Sequence, residues 1–367
     1  MKKKSVFLSL ALLLTLGNGI TNAQSYKNWT KEAPRFDDSF LVTDEARRIG
    51  TQVLIYQLES GGWPKNINMA IPIDSTQINK LTAQKKQIRN GTIDNCATTT
   101  EIQFLSRLYN ATHTEEYQQA AIKGIYYLID AQYDNGGWPQ FYPDAKGYHA
   151  QITFNDNAMV RVLRLFKDVA QGKPPYTFIG DSVRQLSQTT FDKGIRCILD
   201  CQVRQHDTLT VWCAQHDRTT LLPCKARAYE LPSLSGSESA DIVLLLMSIP
   251  NPDKDVQKAI ESAVEWFRKS AITTYRRENY INSEGKPDYT MKPTAEAPRM
   301  WARFYDLDTN EPFFCGRDGI KKKRVEDIEY ERRNGYSWFG KQGEKVLKEY
   351  VKWKNNLEQV DKKRIMP

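Results

Sequence analysis

Two aspartates and three arginines are the side chains of this sequence best placed to do chemistry. Asp94 lies in Asp94-Asn95-Cys96-Ala97-Thr98 and Asp156 in Asn155-Asp156-Asn157-Ala158. Each box opens a stretch of helical periodicity, so the plain role of either carboxylate is an N-cap at the positive end of a helix dipole. A cap explains the Asp but not the Asn beside it in both copies. Two such boxes on one face can instead supply oxygen ligands to calcium, or an acid/base pair for glycoside hydrolysis. The arginines are Arg227 in Lys225-Ala226-Arg227-Ala228-Tyr229-Glu230, Arg303 in Trp301-Ala302-Arg303-Phe304-Tyr305, and Arg317 in Phe313-Phe314-Cys315-Gly316-Arg317-Asp318. Their neighbours are too apolar and aromatic for a solvated charge face, unlike the surface run Lys321–Arg324. A guanidinium held there calls for a planar anion. That anion is an internal carboxylate such as Glu230 or Asp318, or the carboxylate of a substrate.

Other chemistries find no footing. The histidines at 113, 149, 206 and 216 have no metal-ligand spacing, and no nucleophile elbow accompanies them. His216 alone, in Trp212-Cys213-Ala214-Gln215-His216, is placed to line a site. There is no Gly-rich phosphate loop and no nucleic-acid motif. Asp306-Leu307-Asp308-Thr309-Asn310-Glu311 imitates an EF-hand but has Glu at the sixth position and Arg317 at the twelfth. Six cysteines occur, without a CxxC pair, which argues against zinc. Cys213 and Cys224 flank a turn-like segment and are candidates to pair.

The elements that position these residues are helices. Apolar periodicity predicts helices over 46–58, 97–109, 115–131, 158–169, 190–201, 240–249, 256–272 and 344–353. Strand patterns are short, near 208–212 and 226–231. One ending recurs: Gln57-Leu58-Glu59-Ser60-Gly61-Gly62-Trp63-Pro64, and again Gln132-Tyr133-Asp134-Asn135-Gly136-Gly137-Trp138-Pro139. A degraded third copy starts at Gln202, with Trp212 after a longer gap. A repeat of this kind means a fold made by stacking one unit. One helix type begins with the Asp-Asn box and the other ends in Gly-Gly-Trp-Pro. Short connections alternate with long ones, so all the long loops emerge at one end of an up-down array. The expected fold is all-α, a partial α/α toroid of about three antiparallel hairpins, with long loops and a few short strands on one face. The Trp residues suit sugar stacking, but packing under their own loops is favoured. The irregular stretch 273–341 starts from the loop face and is expected to fold back over it.

At the amino terminus, Lys2-Lys3-Lys4, an apolar run from Val6 to Leu16, and Thr21-Asn22-Ala23 read as an export signal cleaved near Ala23. The run is too short for a membrane span, which needs about 20 residues. The expectation is residues 1–23 as signal peptide and 24–367 as a single catalytic domain, exported to the periplasm or medium and monomeric, binding neither membrane nor nucleic acid. The formal net charge of +8 includes the signal lysines and suits an anionic ligand.

Taken in order, Gly61-Gly62-Trp63-Pro64-Lys65-Asn66, Asp94-Asn95-Cys96-Ala97-Thr98, Gly136-Gly137-Trp138-Pro139-Gln140, Phe154-Asn155-Asp156-Asn157, Ala226-Arg227-Ala228-Tyr229-Glu230, Arg303-Phe304-Tyr305 and Gly316-Arg317-Asp318-Gly319 resemble the family 10 pectate lyases. The resemblance spans most of the chain, from Leu54 to about Tyr350. It implies a partial α/α toroid and calcium-dependent β-elimination of polygalacturonate, giving unsaturated oligogalacturonates. It implies that Asp94 and Asp156 serve the calcium site. It also implies an arginine as Brønsted base, mapped by order to Arg317 with Arg303 next. Arg227 and Lys193 are implied to bind substrate carboxylates, with Asn95, Thr98, Asn157, Tyr229 and Glu230 completing the substrate set. An arginine base implies activity that rises toward alkaline pH. Two readings from other classes stand beside it: a glycoside hydrolase using the two Asp, and a pectin-binding module without catalysis.

Overall fold

The computed structural model describes residues 28–85 and 90–365, so the signal sequence expected at 1–23 lies outside the described residues. Eight long helices carry the architecture: α1 (Asp44–Tyr56), α2 (Thr99–Thr112), α3 (Glu115–Asp130), α4 (Ala158–Ala170), α5 (Asp181–Cys201), α6 (Glu238–Met247), α7 (Lys254–Lys269) and α8 (Gln342–Ile365). Burial sorts them into two layers. α4 buries Met159, Val160, Val162, Leu163, Leu165 and Phe166, leaving a narrow stripe of Arg161, Arg164 and Lys167, with Asp168 and Ala170 at its end, in partial contact with solvent. α7 buries a single stripe, Val256, Ala259, Ile260, Ala263, Val264 and Phe267. The first pattern is that of an inner helix and the second of an outer one. α2, α4 and α6 form the inner layer. Each packs as a hairpin on the outer helix that follows it, α3, α5 and α7. α1 packs on α2 and α3, and α8 closes the far side against α6 and α7. This is the expected partial toroid. Among the described residues no helix is long and apolar enough to cross a membrane.

The repeated ending is the joint of this array. Gln57 donates through Nε2 to Gly61 O in its own loop and to Ala120 O of the next outer helix, each at 2.9 Å. Gln132 does the same to Gly136 O (3.0 Å) and Thr190 O (2.9 Å), and Gln202 to Thr210 O (2.9 Å) and Ala259 O (3.1 Å). The Trp indoles donate back to the helix just ended: Trp63 to Val53 O, Trp138 to Leu128 O, Trp212 to Ile198 O, at 2.8, 2.7 and 2.7 Å. The third copy is therefore real. Its longer gap holds a small hairpin, Arg204–Gln205 against Thr208–Leu209. A fourth, unforeseen copy is Trp301, which donates to Phe267 O at 2.9 Å. Its relation to α7 is hidden by an inserted hairpin, Tyr275–Ile281 against Pro287–Pro293.

Trp63 and Trp138 are fully buried. Room for them comes from glycines inside the next outer helix. A Cβ on Gly124 would meet the Trp63 ring at 2.8 Å, and one on Gly194 the Trp138 ring at 3.0 Å. Neither ring is a stacking platform for sugar. Trp63→Ala is expected to cost about 3–5 kcal/mol of stability, read as a lower denaturation midpoint, with KM for substrate unchanged. A raised KM in a variant of undiminished stability would return Trp63 to a binding role.

The same joints aim the inner helices. Trp63 O accepts from Thr92 N, Trp138 O from Thr153 N, and Trp212 O from Ser235 N. Each of those residues belongs to a two-residue antiparallel strand pair: Gly91–Thr92 with Phe141–Tyr142, Ile152–Thr153 with Gln215–His216, and Leu234–Ser235 with Phe304–Tyr305. Immediately after each strand the chain turns into an inner helix, so the segments at 94–96, 155–157 and 237–239 stand in equivalent places on one rim. The expected strand over 226–231 is instead a tight turn closed by Ala226 N to Glu230 O and Glu230 N to Arg227 O. The helix expected at 190–201 begins earlier, at Asp181. The segment 301–340 does fold back over the rim and brings its own aromatic core of Phe304, Phe313, Phe314 and Trp338, joined by Tyr229. All six cysteines are free. The pairing of Cys213 with Cys224 does not occur, because the Cys213 thiol faces the Cys224 carbonyl, at 3.9 Å, rather than its sulfur.

Candidate active site

The rim segments explain the Asp-Asn boxes. Asn95 (φ 50°, ψ 36°) and Asp156 (φ 50°, ψ 28°) both sit in the left-handed region, which among non-glycine residues is tolerated best by Asn and Asp. Counted from the paired strands, Asn95 and Asp156 are equivalent, and so are Asp94 and Asn155. The second box is thus the first with its two functional residues exchanged. Neither aspartate caps its helix. The Asp94 carboxylate accepts from Asn95 N at 3.0 Å and pairs with Lys65. Asp156 accepts from Asn155 Nδ2 at 3.0 Å and lies 3.4 Å from Arg303 Nη2.

Asp94, Asn95 and Asp156 line one cleft of about 280 Å³, together with Lys65, Asn66, Gln140, Asn155, Gln215, Arg227 and Glu230. Asp94 is only 4 % exposed, whereas Asp156 is open to the cleft. Arg227 enters from the turn at 226–230, where Glu230 grips it with Arg227 Nε donating to Oε2 at 2.7 Å and Nη2 to Oε1. Tyr229 supports the guanidinium from the other side, 5.0 Å from its ring centre. The hydrogen bond and charge of Glu230 outweigh burial and raise the Arg227 pKa above its ordinary value. Burial alone would raise Glu230, but Arg227 and the Tyr336 hydroxyl bring it below the usual carboxylate range.

Arg303 lies beneath the rim, 8 % exposed, over the Tyr336 ring at 4.5 Å. Its Nη2 donates to Glu238 Oε1 at 2.6 Å and to Asn155 Oδ1 at 3.2 Å. Burial works against its charge, but Glu238, Tyr336 and Asp156 hold its pKa above the ordinary value. Glu238 occupies the third rim position, equivalent to Asn95 and Asp156, and it too is buried.

The other expected site residues scatter. Arg317 does not line the cleft. Its side chain is 64 % exposed and forms a surface pair with Glu331. Lys193 lies on the exposed face of outer helix α5, away from the cleft. Thr98 is buried and bridges Trp63 N to Thr92 O, a scaffold role. Asn157 donates to Asp241 Oδ2 at 2.6 Å. His216 is buried. Its Nε2 accepts from Cys213 N and its Nδ1 donates to Leu221 O, while burial drives its pKa down to about 4. Unforeseen were Lys65, Glu238 and the two glutamines. Lys65 adjoins the first Trp-Pro motif, and that adjacency was the available signal.

Among the described residues no three His, Cys, Asp or Glu side chains converge on a metal position. The chain nevertheless offers an all-oxygen set. Gln140 Oε1 and Gln215 Oε1 are buried at the cleft without a hydrogen-bond partner. Together with Asp94 and Asp156 they fit a hard cation that takes oxygen ligands.

A toroid rim that joins carboxylates and unpartnered amide oxygens to a guanidinium suits a hard cation and an anionic ligand held together, and the class it belongs to is that of the polysaccharide lyases. The comparisons specify it: the chain belongs to the pectic acid lyase family, whose sequence profile matches residues 57–347. It is a polysaccharide lyase of the pectate lyase type. Two solved structures are similar to it: the family 10 polysaccharide lyase from Cellvibrio cellulosa, and an aspartate-to-alanine mutant of that protein in complex with trigalacturonic acid. Both are 34% identical with TM-score 0.73 over 90% of this chain, covering 97% and 98% of theirs. No curated protein sequence matches the chain.

Proposed function

We propose that the enzyme cleaves de-esterified α-1,4-polygalacturonate by β-elimination in the cleft of Asp94, Asp156 and Arg227. One observation carries this: of the three aromatic-flanked arginines, Arg227 alone presents its guanidinium to the cleft that holds both aspartates. The substrate class is supported by the trigalacturonic acid bound to the similar mutant lyase.

In the reaction a base removes the proton on C5, α to the uronate carboxylate. The electron pair forms the C4–C5 double bond, and the bond from C4 to the glycosidic oxygen breaks. The leaving oxygen takes up a proton and becomes the new hydroxyl. Asp94 and Asp156, with Gln140 and Gln215 as neutral oxygen donors, would hold calcium. When bound, calcium neutralises the uronate carboxylate and stabilises the negative charge that develops beside it. Arg227 is the base in this proposal. Glu230 and Tyr229 orient it, and its entry from the turn leaves the guanidinium edge facing the sugar. Lys65, on Asp94 in the free enzyme, is positioned to meet a second carboxylate of the polymer.

The test is incubation with polygalacturonate while following the ultraviolet absorbance of the conjugated unsaturated uronate, with and without a chelator. Absorbance growth that the chelator stops is the expected result. Cleavage without absorbance would make the aspartates a hydrolytic pair, and binding without cleavage would leave a pectin-binding module.

A further inference from the structure

The rim does not end at the central cleft. Beside it lies a second hollow of about 490 Å³ that shares Asn66, Asn95 and Asp156 with the first. The Asn66–Asn95 pair, whose side chains are hydrogen-bonded at 2.8 Å, borders both hollows. On the far side of that pair stand two cations, Arg161 of α4 and Lys31 of the short helix Trp29–Glu32.

Arg161 is part-buried in the wall of this hollow and shares one feature with Arg184 and Arg303. Its Nε is shielded from solvent yet has no hydrogen-bond partner. Asp156 is the carboxylate that lines the same hollow. Asp156 turns to Arg303, and Asp241 takes the neighbouring Arg164 at 3.0 Å. Among the described residues Arg161 therefore has no carboxylate of its own. A shielded Nε–H without an acceptor is costly, and a planar carboxylate relieves that cost by pairing with Nε and a neighbouring Nη together. The chemistry proposed for the cleft supplies such groups at regular intervals, because every sugar of polygalacturonate carries one.

We propose that Arg161 forms a secondary subsite for a uronate carboxylate, binding a sugar of the same chain outside the pair that is cleaved. The proposal rests on the cleft's being a polygalacturonate site. Arg161 is then a binding residue with no part in proton transfer, and its contribution depends on the length of the substrate. Lys31, exposed at the lip of the hollow, adds attraction for the polymer without fixing a sugar.

The experiment compares the full chain with Arg161→Gln and Arg161→Lys on galacturonate oligomers of increasing length and on the polymer. For Arg161→Gln, KM is expected to rise roughly tenfold on the polymer and long oligomers, equivalent to about 1.4 kcal/mol. The shortest cleaved oligomer should show no change, kcat should hold throughout, and Arg161→Lys should recover part of the loss. An effect equal at all lengths, or a fall in kcat with KM unmoved, overturns the subsite and makes Arg161 a scaffold residue. Thermal unfolding of the same samples separates a misfolded variant from a weakened subsite. If the unsubstituted enzyme yields no unsaturated product from any oligomer, the reading of the cleft fails instead, and that outcome is visible before any variant is measured.

Discussion

Arg227→Ala is expected to reduce turnover of polygalacturonate by roughly 10²- to 10⁴-fold, the range for removing a positioned proton-transfer group. Binding should weaken far less, because Lys65 and the cation site remain. Arg227→Lys is the sharper comparison. A lysine restores positive charge but cannot keep the two-point grip on Glu230, so it should recover binding before it recovers rate. The pH dependence follows from the Arg227–Glu230 pair. Glu230 raises the Arg227 pKa, so a base role requires the minor, deprotonated form, and kcat should climb as pH rises above neutrality. Removing the cause reverses the sign. Glu230→Gln lowers the Arg227 pKa and raises the deprotonated fraction at any given pH, so the climb should begin at lower pH. A guanidinium that only binds carboxylate behaves differently, with KM changing and the shape of the kcat profile staying fixed. Steady-state kinetics of the three variants between neutral and strongly alkaline pH decides between the two roles.

The helices were legible because apolar spacing is a local signal, and so was the Trp-Pro joint, whose Gln and Trp keep the same bonds in three copies. The fourth copy was hidden for a physical reason: the inserted hairpin separates Trp301 from the helix it caps, and no Gln-Gly-Gly precedes it. The Asp-Asn boxes were legible as candidates, but the exchange of Asp and Asn between them shows only in backbone register. The left-handed φ at Asn95 and Asp156 explains why these residue types recur, and no helix cap is involved. The arginines were the hard case. All three have aromatic neighbours in sequence, yet those neighbours mean different things. At Arg227 Tyr229 supports a guanidinium turned toward the cleft. At Arg303 the aromatic core encloses the charge. At Arg317 Phe313 and Phe314 point inward while the arginine points out to Glu331. Strand alternation does not decide this, since Phe313 to Gly316 are all buried before Arg317 emerges, and contacts distant in sequence decide which side is the cleft.

Arg303→Met is expected to destabilise the fold by about 3–5 kcal/mol, the cost of leaving a buried carboxylate without its partner. Glu238 is the carboxylate at stake: it is nearly inaccessible, and besides Arg303 its acceptor capacity is met by Ser235, with only a long contact from Asp156 N. The same guanidinium carries Asn155 and lies against Asp156, so the loss should reach the cleft as a misplaced carboxylate and a weaker response to calcium. A double variant distinguishes this from a base role. Arg303→Met combined with Glu238→Gln removes both charges, leaves a neutral side chain that still accepts from Ser235, and should regain most of the stability in urea denaturation. Coupling of this size between two residues in contact is what a buried pair produces. If Arg303 acts on Asp156 by position alone, the double variant should also regain part of its activity, most visibly at high calcium. An Arg303 that itself took the substrate proton could not be replaced in this way, and the stabilised double variant would remain inactive. Midpoints that do not move in the single variant would count against the buried pair altogether, whatever the activity shows.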